Sequence, residues 1–537
     1  MSDSTDPHSA AGSATAPAWS VRTVPLGGGA LAHALQQDAR LHDWLAPLPA
    51  TRAAWAARVA SVRAQAAGHD WYTPLAPAFA ASGAAAQRLA RAAREGVVVT
   101  TGQQPGLFGG PMYTFSKAMS ALAMADALEA ATGCPVAPVF WAATDDADWI
   151  EAAVAHVATS TGLTRIALAG PATEGVAMAE VPLGPMDAAH AQLRAACGSA
   201  AHAQLLEMVC AAYEPEATIG DAYVRMLRAL LEPLGIAVLD ASHASVKAVT
   251  HPLLVDALEH AAAIEEAVGM RTARIRDAGF TPQVELVDGL SLVFASASVQ
   301  PGAARVRTRV PVAEAGSVAS RAEVGSLGAN VLLRPVIERA ILPTVAYHAG
   351  PGELSYFAQL SPIAEVLRRD VPLAVPRWSG ELRDARAEQL AASLGLDDDM
   401  LRDPHAAETR VAREHVDADV QDALERLQVA IEAQVRALRG AVARSDSALP
   451  PTVVDGLATS LTERLARFDR RLTASVKRHE VQLMRDVAAA RAALRPDGVS
   501  PERKLNLVPM LARFGPAVLD AMRAAARIYV DRLVEGR

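Results

Sequence analysis

The feature that most constrains this chain is an abrupt change of texture near residue 97. Three β-branched residues, Val97-Val98-Val99, run into Thr101-Gly102-Gln103-Gln104-Pro105-Gly106-Leu107-Phe108-Gly109-Gly110-Pro111. An alanine- and methionine-rich helical stretch then begins near Phe115. Strand, glycine-rich turn, helix is the opening of an α/β unit. The pattern recurs. Val136 to Ala142 reads as a strand ending in Asp145, Asp146 and Asp148, and Gly235 to Asp240 as a strand buried on both faces. Leu342 to His348 is a further strand, running into Ala349-Gly350-Pro351-Gly352-Glu353, and Val371 to Val375 is the last candidate. Short strands alternating with helices predict an α/β fold with a parallel, doubly wound sheet.

At 537 residues the chain has a prior of roughly three to four structural units. The polar, small-residue stretch 1–18 reads as a disordered tail, and 19–380 as the catalytic core. Within that core, insertions are expected at about 150–234, largely helical, and 250–330. The second should hold a strand over 281–287, an Asp288-Gly289 turn and another strand to 311. Residues 381–495 change character. Val420, Leu424, Leu427, Ile431, Leu438 and Val442 fall on a 3/4 spacing, and it resumes at Leu461, Leu465, Phe468, Leu472, Leu483 and Val487 after the Ser/Pro/Asp break at 445–456. Two long helices with a hinge make an antiparallel coiled coil. Its exposed seam predicts a homodimer, the alternative being two helices packed on their own core. The tail, 496–537, is expected to return to the core.

Lys plus Arg number 51 against 59 Asp plus Glu, a net charge of −8, and aromatics are 4% of the chain. Neither a basic footprint nor a stacking surface for nucleic acid is present. Three cysteines with no CxxC spacing exclude a disulfide scaffold and suit a reducing cytoplasm. No cationic and apolar leader opens the chain, and no clean apolar run is long enough to span a bilayer. The expectation is a cytoplasmic protein with no nucleic-acid or membrane partner.

Three places can carry chemistry. The glycine turn lets backbone approach a ligand, and Gln103 and Gln104 each donate and accept, which suits a small polar substrate. It is neither GxGxxG nor a P-loop. Tyr113 and Lys117, four apart near the helix start, place a cation within reach of a carboxylate or phosphate; the structural alternative is a tight turn. Crowded carboxylates after the second strand suit proton transfer or Mg²⁺, although one of the three is expected to be only a helix N-cap. Asn330, Arg334, Tyr347 and Glu353, with Gly350 and Gly352, bring an amide, a cation and a carboxylate toward one cleft. Arg334 suits a bidentate carboxylate clamp, the alternative being a surface ion pair. No Gly-x-Ser-x-Gly elbow, HExxH or His pair at metal spacing occurs, so no metal-ligating residue is assigned.

The segments VTTGQQPGLFGGPMYTFSKA, PVFWAATDDADW, GFTPQVE, LLRPVIERAILPTVAYHAGPGELSYFAQL, VPLAVPR and PERKLNLVPMLARFG, spread from about 98 to 515, together resemble the bacillithiol-synthesis cysteine-adding enzyme family. The resemblance implies a Rossmann-like core with connecting insertions and a dimerising C-terminal coiled coil. It also implies a ligase that adds L-cysteine to glucosaminyl-malate, with ATP the natural co-substrate because direct amide formation is uphill in water. On this reading Thr101, Gly102 and Gly109 belong to the cradle for substrate or nucleotide. Arg503 and Asn506 match the family pattern, either at a nucleotide or as an anchor of the tail. Asp146 and Asp148 manage protons or a metal. The family usually carries His where this chain has Ala147, and His348 is the expected substitute for part of that role. Two rivals stand beside the ligase: a nucleotide-dependent sugar transferase, and a coiled-coil scaffold with a degenerate core.

Overall fold

The computed structural model describes residues 18–37, 39–170, 174–298, 304–445 and 450–536. The expected disordered tail, all but its last residue, lies outside the described residues, as does the 446–449 part of the hinge. The chain folds as two compact units. One is built from Val21–Val157, Thr164–Leu382 and Glu502–Arg537; the other is built chiefly from Arg383–Pro501.

The larger unit is organised by a five-stranded parallel sheet. Its strands are β1 (Val97–Gln103), β2 (Val136–Ala142), β3 (Ala237–Asp240), β7 (Thr344–Ala349) and β8 (Ala374–Pro376). They lie in the order β8-β7-β1-β2-β3 and pair in parallel, the parallel pairing being what the strand and helix alternation predicts. The apolar runs are continuous rather than alternating because helices cover both faces: every residue of β2 and of β7 is buried. From β1 the chain winds one way to β2 and β3, then the other way to β7 and β8. The strand order therefore reverses between β1 and β7, and open α/β sheets bind ligands in the crevice at that point, beyond the strands' C-terminal ends.

Register at this reversal is not uniform. Val98 pairs with Thr344 but Val99 with Ala346, so Val345 is bulged out, and its carbonyl accepts from Arg58 Nε at 2.6 Å. A one-residue slip decides which face each following side chain takes.

Helix α1 (Gly83–Glu95) packs Leu89 and Ala92 beside Val98 and Val139, and helix α2 (Tyr113–Thr132) follows the glycine turn. Nearly all of α2 from Thr114 to Ala125 is buried, partly against the terminal helix Ala517–Glu535. That packing brings the C-terminal segment onto the sheet's own layer. The first expected insertion holds helices Asp187–Cys197, Ala203–Ala212 and α3 (Ile219–Leu231). The second holds helices α4 (Ala244–Glu259) and α5 (Ala261–Asp277), then an antiparallel sheet of β4 (Leu290–Ser298), β5 (Arg305–Pro311) and β6 (Leu327–Ala329) in the order β5-β4-β6. The strand expected over 281–287 does not form. Asp288-Gly289 leads into β4, with Gly289 at φ +76°, and the hairpin pairs β4 with β5 instead. Two short helices, α6 (Arg334–Ile341) and α7 (Pro351–Phe357), flank β7.

The smaller unit carries two long helices, α8 (Ala418–Arg444) and α9 (Pro451–His479), packed together as the 3/4 spacing predicts. The second helix ends sooner than expected. A break at Glu480 starts α10 (Val481–Leu494), so Leu483 and Val487 join a separate core with Ala391, Leu401 and Val411. No helix among the described residues is long and apolar enough to cross a membrane.

Candidate functional site

At the reversal point lies a cleft of about 420 Å³. β1 contributes Gly102 and Gln103, the turn Gln104, α2 Lys117, β2 Trp141, and the loop after β2 Asp145, Asp146 and Ala147. Across it stand Phe294, Arg307 and Arg309 of the antiparallel sheet, with Asn330, Arg334, Glu353 and Tyr356. Gln103, Asp146 and Glu353, remote in sequence, thus face one space.

A hydrogen-bonded network lines one wall. Lys117 Nζ donates to the Gly102 carbonyl at 2.8 Å and to Gln103 Oε1 at 2.9 Å, and lies 2.6 Å from Glu353 Oε2. All three ammonium donors are thereby used, so Lys117 holds the wall and does not reach a phosphate. Glu353 also accepts from Gly350 N at 2.7 Å and from the Tyr347 hydroxyl at 2.6 Å. Burial pushes the Glu353 carboxyl up, but Lys117 and these hydrogen bonds outweigh it and hold it below the usual range. Arg334 ion-pairs with the buried Glu338 at 2.7 Å and donates to the Tyr356 hydroxyl at 3.2 Å. At the other end Gln104 Nε2 donates to Glu151 at 2.6 Å, and Tyr113 donates to the same carboxylate at 3.0 Å. Burial raises the Glu151 carboxyl above its ordinary value.

The two aspartates that line the cleft are treated differently. Asp145 meets Lys247 Nζ of α4 at 3.1 Å; burial alone would raise its carboxyl, but Lys247 and Arg307 bring it below the ordinary value. Asp146 has no ion-pair partner among the described residues; its Oδ1 accepts from Asp148 N at 3.1 Å, and the Ala147 backbone also hydrogen-bonds its carboxylate. Burial first, then the Asp145 charge, push the Asp146 carboxyl up. Neighbouring carboxylates with values driven apart are the arrangement that lets one of them move a proton. Opposite them the Arg307 guanidinium donates to the Asp145 carbonyl and lies 4.5 Å from the Phe294 ring centroid, with Arg309 5.6 Å from the same ring. The cleft therefore pairs a cationic wall with one acid, Asp146, whose carboxyl is raised and which has no ion-pair partner among the described residues.

Several expected residues sit elsewhere. Asp148 is exposed and N-caps the turn Trp149–Ala152 by accepting from Glu151 N, so it is the cap and not a catalytic acid. His348 is fully buried with neither ring nitrogen in hydrogen-bonding geometry, and burial, weakly opposed by the Pro376 backbone, pulls its value to about 3. Successive strand residues face opposite sides of a sheet. Tyr347 points at Glu353, so His348 points away from the cleft and remains neutral; it does not replace the family's His. Gly109, at φ +90°, is a packing position: a Cβ there would lie 2.7 Å from Met226 Cε. Gly350 and Gly352 cap and start α7 rather than line the cleft. Asn330 lines it, but its Oδ1 accepts from Leu332 N and Leu333 N.

Of the residues expected at a nucleotide, Thr101 donates to the His348 carbonyl, binding β1 to β7, and Arg503 is exposed. Asn506 Nδ2 donates to the carbonyls of Phe108 at 2.8 Å and Gly110 at 3.0 Å, an anchor from the tail to the glycine turn. Only Gly102 of that set faces the cleft. Beside it, Arg377 and Glu502 make a buried pair at 2.6 Å. No group of three or more His, Cys, Asp or Glu among the described residues is placed to hold a metal ion.

Sequence reasoning did not select Lys247, Arg307, Arg309 or Phe294. Two signals pointed to them. Arg307 and Arg309 stand two apart on one strand and so share a face. Lys117 and Lys247 are two of only four lysines in a chain that otherwise uses arginine.

Residues 57–298 and 318–378 match the family described as bacillithiol biosynthesis BshC, N-terminal Rossmann-like domain, and 382–529 match its C-terminal coiled-coil domain. The chain is 30% identical over 465 residues to "Putative cysteine ligase BshC" of Salinibacter ruber, covering 81% of each protein. A protein of the same name from Solibacter usitatus is 30% identical over 461 residues, 82% of this chain and 83% of the relative. One from Koribacter versatilis is 27% identical over 462 residues, 83% and 85% respectively.

Proposed function

This chain belongs to the bacillithiol biosynthesis BshC family, and from that premise we propose that it is a cytoplasmic ligase joining L-cysteine to glucosaminyl-malate through a new amide bond. The observation that carries this reading is the single cleft in which Asp146, with a raised carboxyl and no cation on it, faces Arg307 and Arg309. A dicarboxylate such as the malyl group suits that cationic wall. Asp146 takes the proton that the sugar amine loses as it attacks the cysteine carboxyl carbon, activated by ATP as a phosphate-bearing ester; the C–N bond forms as the C–O bond to that group breaks and the phosphate-bearing group leaves. Gln103 and Gln104, fixed by Lys117 and Glu151, present amide groups to hydroxyls. Ala147 lines the same loop, so the proton falls to Asp146 and not to a histidine.

Carboxylate activation by ATP is proposed on thermodynamic grounds, since amide formation from a free carboxylate is uphill. The residues in hand do not form a dedicated Mg²⁺ cage: Asp145 is committed to Lys247, leaving Asp146 alone. We also propose that α8 and α9 pair with a second copy, because Leu427, Val429, Leu438 and Phe468 are all more than 40% exposed. Phe468→Glu should then give monomers by light scattering.

The decisive experiment incubates purified full-length protein with L-cysteine and glucosaminyl-malate, with and without ATP, and follows bacillithiol by mass spectrometry. Product with the native chain and at least about a hundredfold less with Asp146→Asn is expected. Full activity of Asp146→Asn would overturn the assignment of the base. Normal thiol pools in cells lacking the gene would overturn the ligase reading itself.

A further inference from the structure

A second concavity lies at the other end of the same sheet. It has a volume of about 300 Å³ and is lined by Arg339, Arg368, Arg369, Asp370, His69 and Trp71, over an apolar floor that includes Leu342 and Pro343. Leu342 and Pro343 immediately precede β7, whereas the cleft described above lies beyond the strands' C-terminal ends. At ~3.3 Å per residue, the six residues of β7 separate the two by roughly 20 Å.

The charge here is not balanced. Arg339 is 10% exposed, and its Nε is buried with no hydrogen-bond partner. Its Nη2 donates to Asp370 at 2.7 Å and to Gln65 at 2.6 Å. Beneath it Arg58 is held by the Val345 carbonyl, and burial together with the Arg339 charge pulls its guanidinium down to about 10. Asp370, itself half exposed, is the one acid among the lining residues. Arg369 is only loosely engaged, 3.6 Å from Asp256. Arg368 takes the left-handed backbone conformation, φ +52°, that a non-glycine residue adopts at a cost. Three guanidinium groups thus line, with one carboxylate and with Asp256 behind Arg369, a space large enough for a small molecule. Trp71 offers a flat apolar wall beside them.

We propose that this rear pocket binds a small phosphate-bearing molecule, with Arg339 at its base and Arg368 and Arg369 closing on the anion. Helix α6 joins the two places: Arg334 at its first residue lines the cleft, and Arg339 lines the rear pocket. The site is independent of the ligase assignment.

The test uses the full chain and inorganic pyrophosphate as the probe, titrated by calorimetry at ionic strength matched with sodium chloride, which removes general screening. Arg368→Asn with Arg369→Gln removes two exposed charges, and asparagine tolerates the left-handed backbone, so folding is retained. Saturable binding to the native chain, weakened about tenfold or more in this double variant and kept in Arg307→Gln, is expected. No saturable binding to the native chain would overturn the proposal. So would equal binding by the native chain and the double variant, or loss in Arg307→Gln alone, which would put the probe in the cleft.

Discussion

Lys117 Nζ and Glu353 Oε2 lie 2.6 Å apart across the point where the strand order reverses. Lys117 belongs to the helix that follows β1 and Glu353 to the helix that follows β7, so the pair ties together the two halves of the sheet. Both groups are largely buried, with side-chain exposures of 4% and 14%. Removing one partner leaves the other as an uncompensated charge. Glu353→Ala should therefore cost about 3–5 kcal/mol in urea unfolding, and Lys117→Met a similar amount. The Glu353 carboxyl is held below its unfolded value, so the stability it contributes is present above the usual carboxylate range and is lost as pH falls through the lowered folded value. The Lys117→Met, Glu353→Leu double variant should lack that acid dependence.

Asp146, as the proposed base, should set the acid limb of the rate profile. Its carboxyl is raised, and a base works only when ionised, so activity should fall at a pH above that of an ordinary aspartate. Arg307 opposes the rise and Asp145 adds to it. Arg307→Gln should move the limb of kcat/KM to higher pH, and Asp145→Asn should move it lower. A limb unmoved by either change would exclude Asp146 as its source.

His348 should be catalytically silent. It faces away from the cleft and is neutral throughout the working range. His348→Leu should keep turnover within about twofold, and stability should change by no more than about 1 kcal/mol, since a nearly isosteric apolar side chain replaces an unpaired polar one. A large fall in kcat with unchanged folding would contradict the geometry.

Arg503 and Asn506, three apart on the tail, should behave differently. Asn506→Ala leaves buried carbonyls of the glycine turn without a donor, a loss of about 1–3 kcal/mol in chemical denaturation. Arg503→Ala, at an exposed position, should stay within about 0.5 kcal/mol.

The sheet is legible in the sequence because its signals are short-range. Val97-Val98-Val99, the glycines that follow, and the acids after Ala142 report local backbone preference and turn chemistry, and each sits at the strand end expected of it. The hairpin over 281–311 departs from expectation where a strand depends on a partner rather than on its own residues. Gln103 and Asp146 are legible as candidates because each follows a strand end, and Arg334 as a cation upstream of another strand; that they share one cleft depends on the strand order, which the alternation does not fix.

By itself, then, the amino-acid order determined the α/β alternation, the paired helices of the smaller unit and the family. Tertiary structure alone decided which polar side chains share the cleft. The bulge at Val345 precedes Tyr347 and His348, which turn to opposite faces, and the docked hairpin carries Arg307 to Asp145 from 162 residues away. A side chain's direction follows from strand register, and register is settled by pairing and packing against distant segments, which no local window of sequence contains.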